Sequence, residues 1–305
     1  VSKEQQWLDL HSPFDSQPLS VWFTAPETWK VVVPLERANL RDMEFAQFIN
    51  TTRRWLHQWA ETGSNPFVHH RLYRSRFPRC IQDAYMTLSC YLHKTSSNEK
   101  LIFKVIEDRA SQLLEEYTTK LALDSLEHVA RVQALLVYQF LGLYDGNIRM
   151  RHLAESRIPI LSLWKQQMIQ HASQVECLGR EIISSTDQQP SEDSLWYSWV
   201  LAESIRRTWL VASGIQALYL IMQQNRHDLC HGGMMFTTRT GVWEAQSAIA
   251  WEKLCININV GLMQMAEAID LFSELEPQEV NDFTKSILEI NVGIEKVERW
   301  CATPR

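Results

Sequence analysis

Trp199-Val-Leu-Ala-Glu-Ser-Ile-Arg-Arg-Thr-Trp209 decides the fold class, together with the apolar run that carries it on to Gln224. Apolar side chains stand on every side of the helix this stretch would form, and its only charges between Trp199 and Gln224 are Glu203, Arg206 and Arg207. A helix that is apolar all round lies at the centre of a larger body or crosses a membrane. The uncharged run from Thr208 to Asn225 is eighteen residues long, the lower edge of a membrane span. Ser213, Gly214, Gln216, Gln223 and Gln224 interrupt it, and two arginines sit directly before it. A buried central helix is therefore expected, in a soluble intracellular protein without membrane contact.

The same logic extends outward. Leu126 to Tyr144 is apolar almost all round and predicts a second central helix. Phe45, Phe48, Ile49, Thr52, Trp55, Leu56 and Trp59 recur at steps of three and four, the face of an amphipathic helix that Gly63 closes. Further helices are expected through Ile81–Tyr91, through Leu101–Tyr117 after an entry at Ser96–Glu99, and as one continuous helix through Ile148–Trp164. Two more are expected over 252–274 and 279–300, divided by Glu274-Leu-Glu-Pro277. Residues 1–37 hold Pro13, Pro18, Pro26 and Pro34 without helical period, and read as an extended lead-in.

Length and composition agree with this pattern. A chain of 305 residues would allow two domains on length alone. The polar stretch 184–195, however, is flanked by strongly apolar helices, so it reads as a surface loop. With 45% hydrophobic and 22% charged residues the chain can bury a large core, and ten glycines and ten prolines leave few turns for short strands. The expectation is all-α: a single domain, residues 38–305, of about 9–12 helices. A formal charge of −6 argues against this segment gripping a phosphate backbone. The start at Val1 reads as that of a segment from a longer protein, and no secretory signal opens it.

Cys80, Cys90, Cys177, Cys230, Cys255 and Cys301 are never closer than ten positions. A binuclear zinc cluster needs cysteines paired two residues apart, so these six do not form one. They read as small buried apolar residues. His227, Cys230 and His231 could meet a zinc ion, but no fourth ligand accompanies them, and Gly232-Gly233 suggests a loop where polar residues collect anyway. No cofactor is expected in the segment.

Several segments carry a resemblance. They are Asn65-Pro-Phe-Val-His69, Cys80-Ile-Gln-Asp-Ala84, Ala130-Arg-Val-Gln-Ala-Leu-Leu-Val-Tyr138, Tyr144-Asp-Gly-Asn-Ile-Arg149, Ala154-Glu155, the Trp199–Trp209 stretch, and Phe236-Thr-Thr-Arg-Thr-Gly-Val-Trp-Glu-Ala-Gln-Ser-Ala-Ile-Ala-Trp251. In order and spacing, over roughly residues 45–255, they resemble the regulatory region of fungal binuclear zinc-cluster transcription factors. The resemblance implies a nuclear, helical regulatory domain acting through co-regulators, a second copy of itself or a small-molecule effector. It also implies that zinc and DNA contact belong to a separate six-cysteine module upstream of Val1.

Charged residues four apart can meet on one helix face: Asp145 with Arg149, Arg151 with Glu155, Glu203 with Arg207. The plain reading is ion pairs fixing helix register; the sharper one has Arg149 or Arg207 receive an acidic effector. Two rival functions stand beside the regulator. Asn281, Lys285 and Glu289 recur at the spacing of a terpene-cyclase-like magnesium site, but the middle position is a cation and no aspartate-rich partner motif exists. A pure dimerisation or interaction scaffold is the other. No nucleophile elbow, phosphate loop or zinc-protease helix occurs, so no catalytic residue is assigned.

Overall fold

The computed structural model describes residues 22–32, 42–120, 122–144, 147–175, 178, 192–224, 233–257, 261–264 and 268–302. The fold is all-α, with eleven α-helices among the described residues. They are α1 (Asp42–Thr62), α2 (Arg79–Leu92), α3 (Glu99–Thr119), α4 (Ser125–Tyr144), α5 (Ile148–Ser156), α6 (Ile158–Gln174), α7 (Glu192–Gln224), α8 (Ala248–Asn257), α9 (Ala268–Glu274), α10 (Asp282–Val292) and α11 (Ile294–Ala302). Two strands, β1 (Phe236–Thr237) and β2 (Leu262–Met263), pair antiparallel with Phe236 opposite Met263. None of the described helices is long and apolar enough to cross a membrane.

Two helices organise the core, and both are those the sequence leaves no polar side. In α4, seventeen of twenty residues are buried, so neighbours cover it all round: α2, α3, α5, α6 and α7 pack against it. The long helix α7 packs beside it and also contacts α6, α8, β1 and α1. A polar seam crosses the α4–α6–α7 junction. Gln216 donates to Gln139 Oε1 at 3.0 Å and accepts from Ser162 Oγ at 3.2 Å. These amides satisfy one another, which is the condition for burying them at all.

Helix ends follow local chemistry. Asp124 Oδ1 accepts from the Glu127 amide at 2.9 Å and caps α4, while Asn147 Oδ1 accepts from the Met150 amide at 3.0 Å and caps α5. The Gly63 amide donates back to Trp59 O at 2.9 Å as α1 closes. At the crossing of α4 and α5 the two backbones nearly touch. A Cβ on Gly142 would lie 2.6 Å from Ala154 Cβ and 3.0 Å from the Met150 carbonyl oxygen. Gly142→Ala is therefore expected to cost about 1–3 kcal/mol, because backbone cannot move aside as a flexible side chain can. Urea unfolding measures it, and an unchanged midpoint would mean that the crossing is loose.

Three expected continuous helices are broken. The segment through Ile148–Trp164 divides at Arg157, because Pro159 enters the first turn of α6 and cannot donate to a preceding turn. The one over 252–274 ends at Asn257, and β2 intervenes before α9. The last, over 279–300, breaks at Gly293, whose φ of 92° is outside helical range. Of the loop placed at 184–195, residues 192–195 already belong to α7, and the remainder lies outside the described residues. In the lead-in, Pro26–Trp29 forms a 3-10 turn and Val32 pairs with Gly233. The expectation of buried cysteines holds for Cys80, whereas Cys90 and Cys301 are exposed on α2 and α11.

Candidate functional site

Glu203, Arg206 and Arg207 follow one another on α7 at steps of three and four, so they share a side of a helix that has no exposed side. All three side chains are at most 1% exposed. Glu203 Oε1 accepts from Arg207 Nε at 2.9 Å and from the Thr237 amide at 2.9 Å, tying α7 to β1. Its other oxygen, Oε2, faces Arg206 Nη1 at 3.8 Å. One carboxylate thus sits between two guanidiniums, leaving the unit with a net positive charge.

Carbonyl dipoles and ring faces take up the excess. Arg207 donates from Nη1 to Pro66 O at 3.1 Å and from Nη2 to Thr237 O at 3.2 Å. Its guanidinium carbon lies 4.1 Å from the Trp243 ring centre and 4.7 Å from that of Phe283, both within cation–π range. Burial lowers the Arg207 pKa, opposed by Glu203 and, further off, Glu244. Burial also lowers Arg206, to about 10.

The loop at Asn65–His69 is built to reach this unit. Asn65 Oδ1 accepts from the amides of Phe67 and Val68 at 2.9 and 2.7 Å, and its Nδ2 donates to Trp55 O at 3.1 Å. That turn aims the Pro66 carbonyl at Arg207 and the Phe67 carbonyl at Gln133 Nε2, 2.9 Å away. His69 accepts from the Arg71 amide at Nδ1, which assigns the proton to Nε2, the atom 2.9 Å from Trp243 O. Burial holds its pKa well below the usual 6.5, so the ring is a neutral strut. On the opposite wall, Asn281 caps α10 through the Thr284 amide at 2.9 Å and donates to Thr237 O at 3.1 Å.

Above Arg207 these elements leave a cleft of about 700 Å³. Trp55, Trp243 and Phe283 give it aromatic walls, while Gln58, Gln246 and Lys285 place polar groups among the residues that line it. The space is mixed in character, its three aromatic faces set among mostly polar and charged neighbours that include Glu244 and Asp282, and its size suits a small polar ligand or an inserted side chain. The Arg207 nitrogens are each already hydrogen-bonded, so the arginine shapes the floor and contributes its field.

The other residues singled out from sequence lie elsewhere. Arg149 is mostly exposed and pairs with Glu107 on α3, Nε to Oε2 at 3.0 Å and Nη2 to Oε1 at 2.8 Å. Its expected partner Asp145 lies outside the described residues, as do His227, Cys230 and His231. Arg151 and Glu155 do not pair: Glu155 accepts instead from the Tyr219 hydroxyl and from Gln223 Nε2 at 3.2 Å. Asn281, first of the magnesium-like triad, spends its amide on the cap and on β1, and Lys285 lies 3.4 Å from Asp282. Among the described residues no three His, Cys, Asp or Glu side chains gather as metal ligands.

Sequence reasoning gives no role to three groups. Arg206 stands only as a charge on the apolar helix, and Asn65 and His69 only within a resembling segment; the Asn-Pro dipeptide is the one local turn signal among them.

No family model matches the chain, and no solved structure matches it. It is similar to Transcription factor gsfR2 of Penicillium aethiopicum, with 31% identity over 196 residues, 64% of this chain and 46% of that protein. The chain thus spans about half the length of the curated relative it matches. It is related to a fungal transcription factor.

Proposed function

We propose that the chain is the helical regulatory body of a fungal transcription regulator of the zinc-cluster type, acting in the nucleus. The carrying observation is the similarity to Transcription factor gsfR2, which extends over 64% of the chain. The formal charge of −6 supports a body that leaves DNA contact, and zinc, to a separate module. In this reading the aromatic cleft over Arg207 receives a small-molecule effector or a side chain of a co-regulator, and the Glu203–Arg207 unit holds its floor in place.

The test is a fusion of the chain to an unrelated DNA-binding domain, read on a reporter in fungal cells. Reporter output is expected to change by at least several-fold relative to the DNA-binding domain alone. Gln246→Trp, which fills the cleft from its rim, is expected to alter that output at an unchanged melting temperature. The isolated chain is expected to give no sequence-selective, salt-sensitive shift of duplex DNA. A folded fusion that leaves the reporter unmoved, or selective DNA binding by the chain itself, would overturn the reading.

A further inference from the structure

Next to the cleft floor, where Arg206 follows Glu203 on α7, a short piece of the chain lies in a buried slot. Residues 22–32 lead into the body, and two aromatic side chains fix them there: Phe23 is wholly buried and Trp29 nearly so. The 3-10 turn at Pro26–Trp29 packs against α6. Trp29 Nε1 donates back to Thr24 O at 3.3 Å and Thr28 Oγ1 to Ala25 O at 2.7 Å, so the segment holds its own shape. Its far end is clipped by a two-way bridge, Val32 N to Gly233 O at 2.8 Å and Gly233 N to Val32 O at 2.9 Å. Gln264 Nε2 also donates to Lys30 O at 3.1 Å.

Arg206 forms the floor of the slot. Its Nη2 donates to the Phe23 carbonyl and, at 2.9 Å, to Thr28 Oγ1, and its guanidinium lies 4.4 Å from the centre of the Trp29 ring. Its side-chain hydrogen bonds go to residues 23 and 28 of that segment, and none of them goes to the described α-helices. Nε and Nη1 are buried without a hydrogen-bond partner in the protein, as is Glu203 Oε2, 3.8 Å from Nη1. A segment that merely completed an apolar core would need no cation beneath it, and an apolar residue would sit there without desolvation cost. A planar, five-donor group that reads one carbonyl, one hydroxyl and one ring is the chemistry of peptide recognition.

We propose that the slot between α6 and α7 over Arg206 is a peptide-docking site whose resident occupant is residues 22–32, and that it takes peptides presenting an aromatic side chain, then a hydroxyl and a second aromatic five and six residues on. This reading does not depend on the function proposed above. Joined to the body, the segment competes at the high effective concentration of an intramolecular ligand. Once detached, it is replaceable by a peptide of the same pattern.

The experiment uses the whole chain with a protease recognition sequence inserted between Val32 and Asp42, cut after folding. A fluorescein-labelled peptide of residues 21–33 is then titrated into the cut protein and followed by anisotropy, with circular dichroism monitoring the body. The cut body is expected to stay helical and to bind the peptide saturably, with displacement by the unlabelled peptide. A Thr28→Val peptide is expected to bind roughly tenfold more weakly, having lost a hydrogen bond to a charged group. A Trp29→Ala peptide is expected to bind roughly a hundredfold more weakly, having lost the aromatic anchor. Loss of helix on cutting, absence of saturable binding, or equal affinity for all three peptides would each overturn the proposal.

Discussion

Replacing Glu203 by alanine is expected to cost about 3–5 kcal/mol of folding stability, seen as a lower urea midpoint at an unchanged slope. The magnitude follows from what is left behind. Arg206 and Arg207 are at most 1% exposed, and Glu203 is the carboxylate that both of them face. Without it two cations confront each other, and the Thr237 amide loses its acceptor as well. Arg206 is covered by residues 23–29, and Arg207, though it lies on the cleft floor, is held by the Pro66 and Thr237 carbonyls and the Trp243 and Phe283 rings. Glu203→Gln keeps an oxygen for Arg207 Nε and the Thr237 amide but removes the charge, and its cost should fall between that of alanine and zero. A loss under about 1 kcal/mol for Glu203→Ala is the value of a solvated pair, and it would refute the burial of the unit.

The parts of this molecule that are legible in its sequence share one property: their signal is local. Helices α4 and α7 announce themselves because a segment without a polar side has only one place to go. The Glu203–Arg207 pair is legible because four residues along a helix is a contact in its own right. Arg206 is not, since its partners Phe23 and Thr28 lie 183 and 178 residues away and neither has any sequence mark of a hydrogen-bond acceptor for it. The same spacing rule misplaces Arg151 and Glu155, where a tyrosine and a glutamine from α7 claim the carboxylate first. Strands β1 and β2 are two residues each, too short for alternation to show. The helix breaks at Pro159 and Gly293 carry signals in plain view, but apolar periodicity runs straight through both and outweighs a single residue in a pattern reading. The cleft is built from segments that stand out one by one along the chain (Asn65–His69, Trp199–Trp209 and Phe236–Trp251), and only folding shows that they meet on one carboxylate and one arginine.

Lys165→Met is expected to stabilise the protein below neutral pH and to lose that advantage as pH rises. Lys165 sits on α6 with only 4% of its surface exposed. Its amine donates to Ser213 Oγ at 2.9 Å and lies 5.8 Å from the Trp209 ring centre. Burial alone depresses its pKa from the ordinary 10.5 to about 7. For a base whose folded pKa is lowered, the sign runs opposite to that of a salt-bridged lysine. Below about pH 7 the folded and unfolded chains both carry the proton, and the folded one bears the full cost of the buried charge. Between about 7 and 10.5 the unfolded chain binds more protons, so stability climbs with pH until the cost is gone. At roughly 1.4 kcal/mol per pKa unit the penalty at pH 6 is of the order of 3–5 kcal/mol. Methionine fills a similar volume without that penalty, but leaves the Ser213 hydroxyl short of a partner, a loss of about 1–3 kcal/mol. The net expectation is a gain of about 0–4 kcal/mol at pH 6, centred near 2, shrinking through pH 8 and turning into a small loss near pH 10. Urea midpoints of both proteins across that range read the difference directly, since every other titrating group cancels between them. A variant less stable at pH 6, or a difference that ignores pH, would mean that the amine is neither buried nor neutralised where α6 meets α7.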